Sequence, residues 1–272
     1  MSPLIIVIIV AGVATLAAWI ASIITKDSSW VDRLWSIVPA VYVWIFAGAA
    51  GFADARLDVM AILVTAWGAR LTYNFARKGG YSGVEDYRWP ILRARMTPAQ
   101  YQVFNLLFIH VFQNAIILMM TFPAFTAFEH QTPFGFADML LALLFLAFLG
   151  GETLADQQQW DFQQAKRAGG PEFRPRFVQT GMWRYSRHPN YFFELAQWWT
   201  LFFMGVVAAG SILQWTVVGV ALLTILFVGS TIFTESITRS RYPEYAEYQA
   251  TVSPVIPWPR RQPKVVESSA RS

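Results

Sequence analysis

The residues best able to do chemistry lie in one short run, Tyr185 to Glu194, which reads YSRHPNYFFE. It holds two basic side chains, an amide and a carboxylate at the start of a long apolar stretch. Pro189 suits the first turn of a helix, because the N–H that proline lacks would have no partner there. The free N–H groups of that turn favour an anion, and Arg187 and His188 stand beside it. We therefore predict a bound phosphate or pyrophosphate here; the alternative is a basic anchor for lipid headgroups.

A second polar pattern runs through the apolar stretch before this one. Glu152, Asp156, Gln159 and Gln163 follow each other at spacings of four, three and four residues, which places them on one helical face. Such a face cannot contact lipid, so we expect it to line a hydrated cavity walled by protein. The alternative is a set of hydrogen bonds that hold a helix bundle together.

Two smaller polar groups accompany these patterns. His110 and Gln113 fall on one side of an earlier apolar stretch. The loop segment Glu85-Asp86-Tyr87-Arg88 carries acidic groups that could accept hydrogen bonds from ribose hydroxyls or from an amide. A solvated turn is the alternative for this segment.

The composition indicates a membrane protein. Of 272 residues, 55% are hydrophobic and 14% are charged, whereas soluble domains carry about 25% charged residues. Cysteine is absent, which excludes disulfides and thiolate chemistry. With only three histidines we expect no metal site, and we expect no nucleic-acid partner.

Seven apolar stretches are long enough, or nearly so, to cross about 30 Å of hydrocarbon. They are residues 4–24, 34–52, 58–76, 102–127, 136–158, 190–209 and 212–234. The first has no preceding basic residue, so we take it as a mature helix rather than a signal peptide. Basic residues concentrate after the odd-numbered stretches, and the opposite loops hold Arg56 alone. This places the amino terminus outside and the carboxyl terminus in the cytoplasm.

These stretches predict an all-α integral membrane protein with seven transmembrane helices. We expect one domain over residues 1–261 and a disordered tail over 262–272. No G-x-G-x-x-G follows a strand and no P-loop motif occurs, so neither a Rossmann site nor a P-loop site is expected.

The motifs together resemble the steroid 5α-reductase family. The residues that carry the resemblance are the run from Trp183 to Tyr191, Glu194, and Glu152-x-x-x-Asp156. The segment Glu85 to Arg88, the pair Tyr245-x-x-Tyr248 and the sequence Ile256-Pro257-Trp258 look closest to a bacterial branch once classed as a domain of unknown function. The resemblance covers most of the chain and is strongest from about 150 to 258. It implies a membrane reductase that uses NADPH on the double bond of an enone, as in 3-oxo-Δ4-steroids.

The resemblance also implies roles for individual residues. Asn190 and Glu194 match the family's cofactor-binding pair on helix six, and Glu152 and Asp156 match its helix-five pair, with Glu152 replacing an amide. The full set of expected cofactor residues is Asp86, Tyr87, Arg88, Glu152, Asp156, Arg174, Arg176, Tyr185, Arg187, His188, Asn190, Tyr191, Glu194 and Arg239. We expect the nucleotide phosphates in the cytoplasmic loops and the nicotinamide pointing inward.

The substrate side departs from the family. The helix-two pair that engages the ketone in steroid-reducing members aligns with Asp32-Arg33, and the helix-three tyrosine aligns with Trp67, near Tyr73. We expect the proton donor to be Asp32, if burial keeps it protonated, or Tyr73. An ion pair is the alternative for Asp32. An apolar enone would enter from the bilayer past Trp35, Trp67, His110 and Gln113.

Other functions remain open from the sequence. Membrane methyltransferases of the isoprenylcysteine or phospholipid type also carry an Arg-His-Pro-x-Tyr run, and bind S-adenosylmethionine beside it. A sterol C14 or C7 reductase and a lipid-binding scaffold are further alternatives. We expect a bacterial inner-membrane enzyme whose cofactor site faces the cytoplasm.

Overall fold

The computed structural model describes residues 1–261 and is all-α, with no strand in that part of the chain. The long helices are α1 (Pro3–Thr25), α3 (Val38–Ala49), α4 (Ala55–Arg77), α9 (Phe136–Gly169), α10 (Pro189–Ala209) and α11 (Val217–Arg241). The shorter ones are α2 (Trp30–Trp35), α5 (Arg88–Arg93), α6 (Pro98–Phe104), α7 (Gln113–Met119), α8 (Phe122–Glu129) and α12 (Tyr245–Thr251). The expected all-α class is confirmed. The tail expected to be disordered lies outside the described residues.

Six helical segments are long and apolar enough to cross a membrane. They are Pro3–Thr25, Trp30–Ala49, Pro98–Glu129, Phe136–Glu172, Pro189–Ala209 and Val217–Arg241. The third expected span, 58–76, is also helical as α4, but it is less apolar because it carries Asp58 and Arg70. Several apolar helices of this length are consistent with an integral membrane protein.

The helix boundaries follow local chemistry. The Asp54 side chain caps α4 by accepting from the N–H of Leu57 at 2.9 Å. A capping box between Thr97 and Gln100 starts α6. The second expected span is broken into α2 and α3 near Pro39, because proline cannot donate to the preceding turn.

One expected boundary is wrong. Helix α9 continues to Gly169 instead of ending near 158, so residues 159–169 are helical. The expected span 102–127 falls within the apolar segment Pro98–Glu129, but this segment is not one continuous α-helix. It contains a π-helix, Asn105–Phe112, and it breaks between Met119 and Phe122 ahead of Pro123.

The described residues divide into two compact units. The first comprises 1–149 and 195–226, and the second comprises 150–194 and 227–261. The core of the first unit is apolar and includes Trp67, which meets Trp198 edge-on at 4.8 Å between ring centroids. Gly68 is required there, because a Cβ at this position would lie 2.3 Å from the carbonyl oxygen of Ser36.

A buried ion pair fixes one end of the first unit. Arg56 donates from Nε and Nη2 to the two carboxylate oxygens of Asp138, at 2.6 and 2.9 Å. Both side chains are 1% exposed. Arg56 also donates to the Thr132 hydroxyl at 2.8 Å, so this buried cation is compensated on several sides.

Candidate functional site

In the second unit, the polar face of α9 leads from buried carboxylates to a surface cavity. Glu152 and Asp156 are 3% and 4% exposed. Gln159 follows, and its Oε1 is buried without a hydrogen-bond partner among the described residues. Gln163 lines the cavity. The twelve residues from Glu152 to Gln163 span about 16 Å of helix axis.

The start of α10 meets this face. Asn190 Nδ2 donates to Asp156 Oδ1 at 3.3 Å. A carboxylate only accepts, so the other amide atom, Oδ1, is the acceptor that remains, and it has no partner within residues 1–261. Glu194, one turn further along α10, is 4% exposed. The structure therefore brings Asp156 of α9 and Asn190 of α10 together.

A glycine allows the close approach of these two helix segments. A Cβ built on Gly151 would lie 2.6 Å from the ring of Phe193, closer than carbon atoms approach. A residue with a Cβ at this position would force the Phe193 ring to move, so Gly151 lets α9 and the first turns of α10 pack with the ring where it lies.

Glu235, on α11, gathers the basic residues of the Tyr185–Glu194 run. Its two carboxylate oxygens accept from Nε and Nη2 of Arg187, at 2.6 and 3.0 Å. His188 Nε2 lies 3.1 Å from Oε1, and Gln249 Nε2 donates to Oε2 at 2.8 Å. The Tyr245 hydroxyl donates to Oε1 at 3.4 Å. We call these five residues the Glu235 hub.

The Arg187 side chain is fully engaged by the hub and by nearby carbonyl groups. Its remaining nitrogen, Nη1, donates to the carbonyls of Gln249, at 2.9 Å, and Val252. The side chain is 9% exposed. Every guanidinium nitrogen is therefore bound to protein, where the sequence led us to expect a phosphate. His188 likewise lies between Glu235 and the stacked ring of Tyr191, 5.0 Å away.

The segment after α12 is bound to the same run. Ser186 Oγ donates to the carbonyl of Val255 at 2.7 Å, and Trp258 N donates to the Tyr185 carbonyl at 2.9 Å. The Tyr248 hydroxyl donates to the Trp183 carbonyl. Burial raises the pKa of Tyr248, so this hydroxyl keeps its proton across ordinary pH.

The cavity at the end of α9 is basic and has a volume of about 340 Å³. Its lining residues are Gln163, Lys166, Arg167, Gly170, Pro171 and Arg176. Lys166 Nζ donates to the Arg176 carbonyl at 2.6 Å and to the Tyr242 hydroxyl at 3.2 Å. The hydrogen bond from Lys166 lowers the pKa of Tyr242, as a positive local potential should.

The three cations of this cavity lack acidic partners. Arg176 donates from Nη1 to the Pro171 carbonyl at 2.9 Å. Neither Lys166, Arg167 nor Arg176 forms an ion pair with any carboxylate in residues 1–261. The cavity therefore presents positive charge that a phosphate would complement.

The other expected cofactor residues of this unit lie at the surface. Arg174 is exposed and donates to the carbonyls of Pro171 and Phe173, at 2.9 and 3.1 Å. Arg239 is exposed on α11, and Tyr185 is 46% exposed. None of the three lines the basic cavity.

The acidic loop segment belongs to the first unit. Asp86 accepts from Arg88 Nε at 2.8 Å, and Tyr87 is 46% exposed. Glu85 pairs with Arg93 at 2.6 Å and also accepts from the N–H of Ser28 at 2.9 Å. The Glu85 carboxylate therefore ties the loop to the turn before α2.

The two candidate proton donors have different surroundings, both within the first unit. Asp32 is half-buried and accepts from Trp89 Nε1 at 3.0 Å. Tyr73 is 65% exposed, and the guanidinium carbon of Arg77 lies 5.4 Å from its ring centroid.

The expected substrate residues are mostly covered by protein. Trp67 and His110 are fully buried, Gln113 is 6% exposed and Trp35 is half-buried. His110 Nδ1 lies 2.8 Å from the carbonyl oxygen of Asn105, inside the π-helix. Trp67 packs in the core against Trp198 rather than at the surface.

Sequence reasoning missed the hub carboxylate and two of the cavity cations. Glu235 interrupts an apolar helix, which was the available signal, but its partners are 47 and 48 residues away. Lys166 and Arg167 were counted only as loop charges, because α9 was expected to end before them. No group of three His, Asp or Glu side chains that could hold a metal occurs within residues 1–261.

Comparison with known proteins assigns the chain to a family. Residues 18–252 match the model of a protein of unknown function, DUF1295. The chain belongs to this family, which is related to the steroid 5α-reductase-like membrane proteins. An uncharacterised protein of Schizosaccharomyces pombe is 38% identical over 258 residues, which cover 88% of this chain and 75% of the yeast protein. No solved structure matches.

Proposed function

We propose that the protein is a membrane reductase that uses NADPH to reduce the carbon–carbon double bond of an enone lipid, a 3-oxo-Δ4-steroid. The observation that carries the proposal is the basic cavity at the end of α9, where three cations lack carboxylate partners. NADPH carries three phosphate groups, whereas S-adenosylmethionine carries none. The cavity therefore favours the reductase over the methyltransferase.

The second unit offers complementary groups for the rest of the cofactor. The buried Oδ1 of Asn190 and Oε1 of Gln159 are acceptors that suit a carboxamide N–H group. Gln159 lies on the α9 face that continues to Gln163 in the cavity, and Asn190 reaches this face from α10 through Asp156. A ligand that contacts both Asn190 and the cavity must extend along about 10 Å of helix, from Asp156 to Gln163, as a dinucleotide can.

NADPH would supply a hydride for the β-carbon of the enone, where only the π bond of the C=C group breaks. A proton completes the reaction at the α-carbon, so that the products are the saturated ketone and NADP⁺. The chain must place a donor near the ketone oxygen, where negative charge develops. Asp32 fits this role better than Tyr73, because Trp89 Nε1 fixes its carboxyl group, whereas the Tyr73 ring is largely exposed.

Ligand-induced stabilisation in detergent tests the cofactor. NADPH should raise the melting temperature more than NADH and far more than S-adenosylmethionine, because binding to the folded state alone stabilises it by mass action. Lys166→Met should remove most of the NADPH effect. Arg241→Met removes the same charge from an exposed site on α11, and NADPH should still raise the melting temperature of this variant. A response to S-adenosylmethionine alone would contradict the proposal.

Turnover tests the proton donor. With testosterone as substrate, Asp32→Asn should stop NADPH oxidation while NADPH still raises the melting temperature. Tyr73→Phe should remain active. The reverse pattern would assign the donor to Tyr73.

We also propose a finer topology. Helix α4 crosses the membrane in addition to the six apolar segments, which makes seven spans. The amino terminus lies outside, and the cofactor site faces the cytoplasm of a bacterial inner membrane. Because the chain has no cysteine, single introduced cysteines report topology without background. An impermeant maleimide added to intact cells should label Ser2→Cys but label Ser240→Cys only after permeabilisation. Labelling of both in intact cells would contradict this arrangement.

A further inference from the structure

The chain after α12 exposes apolar side chains that no step above uses. Residues 254–261 read PVIPWPRR, and we call them the proline segment. Ile256 and Trp258 are 66% and 63% exposed, whereas Val255 and Pro257 are half-buried. This alternation turns the two large apolar side chains toward the outside of the protein. Proline fixes its own backbone angle φ, so three prolines in eight residues make the segment stiff.

Hydrogen bonds hold the proline segment in place within the second unit. Ser186 Oγ donates to the Val255 carbonyl at 2.7 Å, and Trp258 N donates to the Tyr185 carbonyl at 2.9 Å. At the far end, Arg261 N donates to the carbonyl of the last residue of α12 at 2.8 Å. The exposed side chains therefore belong to a fixed surface rather than to a loose end. An exposed apolar surface with a polar rim marks a site of contact with a protein or a membrane.

Basic side chains adjoin this apolar surface. Arg184, Arg260 and Arg261 are all exposed. The guanidinium carbon of Arg184 lies 6.0 Å from the ring centroid of Tyr185, which is itself 46% exposed. Arg260 Nε donates to the Thr251 hydroxyl at 3.1 Å. None of the three arginines forms an ion pair with a carboxylate in residues 1–261, so their charges are available to an anionic partner.

The start of α10 relates this surface to the bilayer. Helix α10 has 21 residues and a length of about 31 Å, which matches the roughly 30 Å hydrocarbon core. If it crosses the membrane, the residues just before Pro189 lie among the lipid headgroups. Tyr185 is four residues before Pro189, and its carbonyl brings the backbone of Trp258 to the same level. Tryptophan and tyrosine are enriched at this depth, and water there can satisfy a backbone that is not helical.

We propose that the proline segment and Tyr185 rest in the membrane interface, where Arg184, Arg260 and Arg261 bind the phosphate groups of anionic phospholipids. A bilayer surface is extended, so these side chains need not converge on one point to contact it. Each arginine near an anionic surface strengthens the contact about fivefold. The proposal does not depend on the reductase function.

Spin labels in lipid nanodiscs test the proposal. The chain has no cysteine, so a nitroxide on Ile256→Cys reports one position, and a nitroxide on Glu247→Cys, at an exposed site of α12, is the matched control. Electron paramagnetic resonance measures how accessible each label is to oxygen, which concentrates in lipid, and to a neutral nickel chelate, which stays in water. With phosphatidylglycerol in phosphatidylcholine discs, the label at 256 should favour oxygen and the label at 247 should favour the nickel chelate.

Two comparisons test the role of charge. Discs of phosphatidylcholine alone should lower the oxygen accessibility at 256. In the mixed discs, Arg260→Gln/Arg261→Gln should weaken the seating of the segment about 25-fold and lower the oxygen accessibility too, whereas Arg260→Lys/Arg261→Lys should retain it.

The comparison of disc compositions uses one labelled protein, so it decides the question even if the double glutamine variant fails to fold. Equal access of the nickel chelate to positions 256 and 247 in the mixed discs would overturn the proposal. The same depth at 256 in both kinds of disc would also overturn it, because anionic headgroups would then play no part. No NADPH is present in these measurements, so their outcome is separate from that of the reductase tests.

Discussion

Arg187 and Glu235 form a two-pronged ion pair, with Nε and Nη2 donating to the two carboxylate oxygens at 2.6 and 3.0 Å. The pair joins the turn before α10 to the end of α11 across 48 residues of sequence. Nη1 of the same arginine binds carbonyls at the end of α12 and just after it. One guanidinium therefore connects three segments of the second unit.

Removing one partner of this pair should be costly. Arg187→Met leaves Glu235 buried without its main counter-charge, a change worth about 3–5 kcal/mol. Arg187→Lys should also destabilise, because a lysine cannot reproduce the planar fork. Thermal unfolding in detergent measures both, with Arg184→Lys at an exposed neighbouring site as the control. The double variant Arg187→Met/Glu235→Leu should lose less than the sum of the single changes, and strict additivity would argue against a coupled pair.

Adjacent glycines on α9 predict opposite responses to alanine. Gly150 has nothing within 4 Å of a built Cβ, so Gly150→Ala should stabilise by up to about 1 kcal/mol through helix propensity. At Gly151 the new Cβ would meet the Phe193 ring at 2.6 Å, and overpacking should cost about 1–3 kcal/mol.

Melting temperatures of the two variants, measured side by side, check this prediction. Gly151→Ala should also weaken NADPH binding, because Asp156 and Asn190 lie on the same two helix segments. Two neutral substitutions would mean that α9 and the start of α10 do not pack as described.

The hydrogen bond between Asp156 and Asn190 should control cofactor affinity. Asn190→Leu removes both the donor to Asp156 and the acceptor Oδ1, and should weaken NADPH binding about tenfold or more. Gln157→Ala, at an exposed position next to Asp156, is the matched control. Isothermal titration with NADPH measures both. Unchanged affinity in Asn190→Leu would place the nicotinamide elsewhere.

Helical periodicity accounts for what the sequence could predict about the site. The spacing of Glu152 and Asp156, and of Asn190 and Glu194, depends only on local geometry, whereas the contact between Asp156 and Asn190 joins two helices and does not follow from spacing. Glu235 could not be found this way, because its partners come from other elements of the fold. The run from Arg187 to Asn190 contacts two different partners. The Asn190 amide contacts Asp156 on α9, whereas Arg187 and His188 contact Glu235 on α11.

The cavity shows a different limit of sequence reasoning. Lys166 and Arg167 could be placed only after α9 was seen to continue to Gly169, since amphipathic patterns locate helix ends to within a few residues. The π-helix gives no local signal that separates it from an α-helix. Its effect on His110 therefore had to come from the structure.

The buried pair of Arg56 and Asp138 supports a final prediction about the first unit. By the positive-inside rule, the loops expected on the outer side carry one basic residue, Arg56. Its charge is neutralised by the carboxylate of Asp138, at 2.6 Å from Nε. Asp138→Asn should leave a buried cation uncompensated and cost about 3–5 kcal/mol, whereas Arg56→Met/Asp138→Leu should recover most of the loss. Glu129→Gln, at an exposed acidic residue, should change little. Thermal unfolding of the four proteins would decide the matter. A double variant as unstable as Asp138→Asn would show that the hydrogen bonds from Arg56 to Thr132 and Pro133 matter more than the ion pair itself.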